Sequence, residues 1–143
     1  MKMNLFMLII ALIFFNQSCD DKGEDCHKTI TFKNETADTL YVVGSTFYPD
    51  TSIYAGIPNP VLDPNFTRVL PNESNSRALW DRDCLELSFK DLIPSDTMMV
   101  YVFDAHVIET TAWDSVKANY LVLKRYDLSL DDLKRMNWTI TYP

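Results

Sequence analysis

From residue 26 onward, apolar and polar positions alternate in short runs, and each run predicts a strand. In Thr29-Ile30-Thr31-Phe32 the two apolar side chains share a face, Asn34 to Asp38 is turn-like, and Thr39 to Val43 is apolar again. Residues 29–43 therefore read as a β-hairpin. Residues 44–66 have no period and carry Pro49, Pro58, Pro60 and Pro64, which block both helix and central strand, so a long surface loop is expected there with at most one edge strand. Thr67 to Leu70 reads as a short strand ended by the turn Pro71-Asn72-Glu73-Ser74. Leu85, Leu87 and Phe89 alternate with Glu86, Ser88 and Lys90, the pattern of a half-buried strand, and Asp91 to Asp96 then turns the chain. Thr97 to Phe103 is apolar on both faces, as a central strand covered from both sides must be.

The last third mixes periods. Thr111 with Asp114 is a capping-box variant, and Trp113, Val116 and Tyr120 give one apolar face to a helix of about two turns. Ser129 with Asp132 repeats the device, with Leu128 placed to staple onto Leu133 and with Lys134 and Arg135 at the negative helix end. Leu121 to Asp127 and Trp138 to Tyr142 read as strands, the second with Trp138, Ile140 and Tyr142 on one face. The expected fold is mainly β: a single antiparallel sandwich-like domain over 26–143 with two short C-terminal helices. The alternative is an α+β fold, one sheet with the helices on one face.

Upstream of this domain the chain changes character. Lys2 precedes an uncharged apolar stretch from Leu5 to Phe15, then Asn16-Gln17-Ser18, then Cys19 and the acidic run Asp20-Asp21-Lys22-Gly23-Glu24-Asp25. The apolar stretch is shorter than the roughly 20 residues a helix needs to cross a bilayer, so it reads as a signal sequence, residues 1–18, removed before Cys19. Ser18-Cys19 resembles the lipobox of bacterial lipoproteins, and the acidic run is similar to the export tag of Bacteroidetes surface lipoproteins. The stretches Thr29 to Asn34, Leu123 to Leu133 and Asn137 to Pro143 also resemble small uncharacterised lipoproteins of that group. The resemblance implies a lipid on Cys19, a tether over 19–25, and a place on the outer membrane at the cell surface or its periplasmic face. It implies no activity. The plain alternative is a secreted protein that keeps Cys19 as a thiol.

Charge narrows the partners. Losing residues 1–18 removes one of the 13 basic residues and none of the 20 acidic ones, so the net charge moves from −7 to −8. An acidic surface disfavours nucleic acid, whose binding rests on clustered Lys and Arg. Of the three cysteines, Cys26 and Cys84 remain once Cys19 is lipidated, either as a disulfide in an oxidising compartment or as two unpaired core thiols.

Chemistry-bearing patterns are sparse. Asp104, His106 and Glu109 follow a strand and offer a weak set of metal ligands or enzyme groups, with solvated loop residues as the alternative. Cys26 and His27 are adjacent, so in a strand they face opposite ways and form no nucleophile pair. Phe47, Tyr48 and Tyr54 in the proline-stiffened loop could form a platform for a glycan or protein partner, or fold back over the sandwich edge. Thr39, Thr97 and Ser115 each follow an Asp and precede an apolar residue, a pattern similar to Bacteroidetes O-glycosylation acceptors; turn and cap roles explain each Asp equally. The expectation is a membrane-anchored, non-enzymatic binding or accessory module at the cell envelope, with no cofactor. Its rivals are a small envelope enzyme or metal-binding protein using Asp104, His106 and Glu109, and a structural subunit of a surface assembly.

Overall fold

A computed structural model describes residues 26–53, 55–80 and 84–143; the leader, Cys19, the acidic tether and Tyr54 lie outside the described residues. Among the described residues there are seven strands: β1 (Thr29–Asn34), β2 (Leu40–Ser45), β3 (Arg68–Val69), β4 (Ser74–Trp80), β5 (Thr97–Asp104), β6 (Lys124–Ser129) and β7 (Thr139–Tyr142). Five short helices accompany them: α1 (Pro64–Thr67), α2 (Leu85–Asp91), α3 (Ala105–Thr110), α4 (Trp113–Ala118) and α5 (Leu130–Arg135). One sheet has the order β4-β1-β7 and the other β3-β2-β5-β6. Ile30 and Phe32 of the first sheet share a core with Leu40, Val42, Val100 and Val102 of the second, so the fold is mainly β and layered as a sandwich.

The expected β-hairpin is not formed. β1 and β2 belong to different sheets, and the five residues between them carry the chain from one layer to the other. Alternation cannot distinguish these arrangements, because Ile30/Phe32 and Leu40/Val42 face the same core whether their strands pair or oppose each other. The crossing is fixed by Asn34, which is fully buried. Its Nδ2 donates to the carbonyls of Asp38 at 2.7 Å and Leu70 at 3.1 Å, while its Oδ1 accepts from the Thr36 amide and hydroxyl.

β7 departs from an all-antiparallel scheme by pairing parallel to β1. β4 was not anticipated beyond the turn before it, since Ser74 to Trp80 does not alternate. Its register against β1 slips, with Ile30 opposite Leu79 but Phe32 opposite Asn75. Asn75 Oδ1 accepts from the amides of Arg77 and Ala78 and so satisfies backbone donors where the ladder is interrupted.

The strand expected at Leu85 to Phe89 is the helix α2. Its buried residues Leu85, Ser88 and Phe89 follow i, i+3, i+4, and Leu87, which a strand would have buried, is half exposed. Periods of 2 and 3.6 both bring Leu85 and Phe89 to one face, so only Leu87 separates them. The Thr111–Asp114 box is also absent: α4 is capped at Ala112 with no side-chain bond. The Ser129–Asp132 box is present in both directions, and Leu128 and Leu133 are buried in one cluster across that cap. The last long strand runs over Lys124–Ser129, three residues later at its start than expected at Leu121.

The four-stranded sheet is covered on its second face as well. Tyr41, Val43, Met99, Tyr101 and Phe103 point there and pack with Ile53 and Ile57 from the 46–62 loop and with Ile108 and Val116 from α3 and α4. The loop is pinned rather than loose. Tyr101 Oη donates to Ser52 O, Trp113 Nε1 to Ile57 O, and Arg125 Nη1 to Asp50 O. β5 is thus buried on both faces, as its sequence requires.

Candidate ligand-binding cleft

Inward-facing positions of β2 run Leu40, Val42, Gly44, and the third has no side chain to fill its place. A Cβ on Gly44 would stand 2.8 Å from Met98 Cε and 3.1 Å from Leu79 Cδ2. Glycine therefore lets these two side chains approach the β2 backbone, and the space between the layers opens beside them. The result is a cleft of about 570 Å³, walled by Leu79 and Met98 from the sheets, by Leu85, Leu92 and Ile93 from α2 and its exit, and by Ile57 and Phe47 from the loop. Its polar contributions come from Ser45, Thr46, Thr67 and Ser88, and none of the described residues lining it is charged.

The α2 wall is clamped to the start of β1 in three ways. Cys26 and Cys84 are joined by a disulfide, and Cys84 is the N-cap of the helix. The Leu85 amide donates to His27 O at 2.7 Å. The carboxylate of Glu86 accepts from His27 Nδ1 at 2.6 Å and from the His27 amide at 3.0 Å. The imidazole is held for this by stacking on Trp138, with ring centroids 4.2 Å apart.

Burial pushes the Glu86 carboxyl up, but the bonds from the His27 ring and amide outweigh it and hold the group below its ordinary value. A carboxyl depressed in this way adds stability that is present above its unfolded value of 4.5 and is lost as pH falls through the lower folded value. Urea midpoints measured from neutral to acid pH should therefore show Glu86→Gln less stable than wild type at neutrality, by about 1 kcal/mol, with the gap closing below about pH 4. A constant gap would mean that the Glu86 charge contributes nothing.

The residues singled out from the sequence fall in several places. Phe47 lines the cleft and is 52% exposed, whereas Tyr48 is exposed but outside the lining. The metal set is not assembled. Helix α3 starts directly after Asp104, whose carboxylate caps it by accepting from the Val107 amide, and Glu109 accepts from Tyr41 Oη at 2.8 Å. His106 is exposed on that helix, and among the described residues no three His, Cys, Asp or Glu side chains are placed to hold a metal ion. Of the three acceptor residues, Ser115 is exposed on α4, while Thr39 and Thr97 are half-buried beside β2 and at the start of β5.

The cleft itself was missed by the sequence reading. Its one signal was Gly44, at the place where the inward alternation of β2 calls for a third apolar side chain. No protein-family model, curated protein or solved structure matches this chain.

Proposed function

We propose that this chain is an exported binding module, held on the outer membrane by a lipid on Cys19, and that its ligand is a neutral apolar molecule or chain segment taken into the cleft. The observation that carries this reading is the combination of size and lining. A volume of about 570 Å³ lies within the usual range for small-ligand sites, and the described lining is apolar with a few hydroxyls and no charge. An ionised metabolite would lose its hydration there with nothing to replace it. A sugar ring would find few directed polar partners, so the lining favours an apolar ligand over a glycan. Removing such a ligand from water supplies the affinity, at about 25 cal/mol per Å² of apolar surface covered. No catalytic role enters this reading.

The test uses the mature chain with Cys19→Ser, titrated with the neutral fluorescent probe N-phenyl-1-naphthylamine. Saturable binding of one probe per chain is expected, weakened at least tenfold by Ala78→Phe, which fills the cleft from its wall. Thermal melting controls for folding of the variant. Absence of binding, or binding indifferent to Ala78→Phe, overturns the reading.

A further inference from the structure

Helix α2 has two apolar aspects, and only one is used by the core. Leu85 and Phe89 are buried, but Leu87 is 52% exposed and Leu92, just past the helix end, is 67% exposed. These leucines do not stand alone. A second depression of about 330 Å³ runs from the Cys26–Cys84 bridge past Leu87 to Leu92, and Ser88 and Leu92 line both it and the cleft. The surface is therefore continuous from the bridge, along α2, to the cleft mouth, where Phe47 is also half exposed.

We propose that this rim, formed by Leu87, Leu92 and Phe47, rests on the lipid bilayer, so that the domain is docked by its cleft side. The inference rests on the reading of Cys19 as the lipid-bearing residue. Its argument is the length of chain outside the described domain and the point where that chain enters. The chain enters at Cys26, which the disulfide fixes to the N-cap of α2. The seven steps from Cys19 to Cys26 can reach at most about 25 Å. A domain of about 120 residues has a radius of gyration near 14 Å and is roughly 35 Å across, more than the tether can reach around. The face opposite Cys26 is therefore kept off the membrane, and of the faces within the tether's reach the one beside Cys26 carries Leu87 and Leu92.

A lipid on Cys19 keeps the domain beside the bilayer, where an exposed apolar rim adds a second contact. The described charges in the second depression are Lys28 and Asp91, of opposite sign, and the whole chain is acidic, so apolar insertion into uncharged lipid is the contact this surface can make. Docked this way, the cleft opens toward the acyl chains, and an apolar ligand enters from the membrane without crossing water.

The experiment places the mature lipidated protein in phosphatidylcholine vesicles and measures amide hydrogen exchange, with the unlipidated Cys19→Ser chain in buffer as reference. Exchange over 84–92 and 44–48 is expected to slow at least fivefold on vesicles, to keep that slowing in 0.5 M salt, and to lose it in the triple variant Phe47→Ser, Leu87→Ser, Leu92→Ser. All three side chains are exposed enough for the variant to fold. If the wild type floats with vesicles but its rim exchanges as fast as in the variant, the domain swings free and the docking proposal fails while the anchor stands. If labelled palmitate is absent from the protein, or survives Cys19→Ala, the anchor reading fails and the docking proposal with it. Protection that rises with concentration in the unlipidated chain would assign the rim to a second copy and overturn the proposal.

Discussion

Replacing Cys26 and Cys84 by serine is expected to lower the stability of the domain by about 4 kcal/mol, the value a chain-entropy model gives for a loop of this length. The bridge closes a sequence separation of 58 and so excludes many open conformations of the unfolded chain. That is a large share of the roughly 5–15 kcal/mol available to a domain of this kind. Urea unfolding of the double variant, and of wild type with and without reductant, measures it directly. The loss should have a spatial order as well. Without the bridge, α2 is held to β1 by the Leu85 amide on His27 O and by the His27–Glu86 pair, so amides of 85–91 should become labile before those of β5. Probe binding in the cleft should fall with them, because α2 is one of its walls. A loss under about 1 kcal/mol would show that the unfolded chain is already confined and that the bridge acts only as a local staple.

What could be read in advance depended on how many independent signals each segment carried. β5 was legible because an apolar run with both faces occupied has one economical solution, a central strand. The cap of α5 was legible because Ser129, Asp132, Leu128 and Leu133 fix the same boundary from four positions. By contrast, Leu85 to Phe89 rested on one alternation, and the side chain that decides between strand and helix, Leu87, is exposed. β4 gave no pattern at all, since its place is set by backbone pairing with β1 and by the Asn75 side chain. A period of 2 reports which way side chains face but is silent on which strand lies alongside, and the expected pairing of β1 with β2 failed for that reason.

The candidate site was illegible for a related reason. Polar and aromatic clusters show in a sequence, whereas the cleft arises where separate elements converge beside Gly44, against which Met98 and Leu79 pack. Phe47, a platform candidate from the sequence, does line the cleft with its neighbours of β2 and the loop, but the facing walls come from β4, β5 and α2. Two of those three elements were themselves unread or misread, so their convergence could not have been inferred from spacing along the chain.

The second large effect is expected at Asn34, the residue that turned an apparent hairpin into a crossing between layers. Asn34→Ala should destabilise the domain by about 2 kcal/mol, because it removes the buried Nδ2 donor from the Leu70 and Asp38 carbonyls, which keep only the Glu73 amide at 3.1 Å and Thr36 Oγ1 at 3.3 Å, and takes the side-chain acceptor from the Thr36 amide. Asn34→Asp is the sharper test, since it keeps the shape and the acceptor oxygen but replaces the Nδ2 donor with a second oxygen. At neutral pH that oxygen would face the Asp38 and Leu70 carbonyls at the distances where Nδ2 now donates, 2.7 and 3.1 Å. A buried carboxylate against carbonyl oxygens is disfavoured, so its folded pKa must rise above the unfolded value. The unfolded chain then loses its proton first, and the stability of the variant falls as pH rises through the interval between the two values. The Asp variant should accordingly be less stable than the Ala variant at pH 7 and should recover ground at about pH 4, where a protonated carboxyl can again donate to one of the carbonyls. Denaturant midpoints for wild type and both variants at the two pH values decide the matter. An Asp variant as stable as wild type at pH 7 would mean that the turn can rearrange around residue 34, and that the crossing between the layers is held by packing alone.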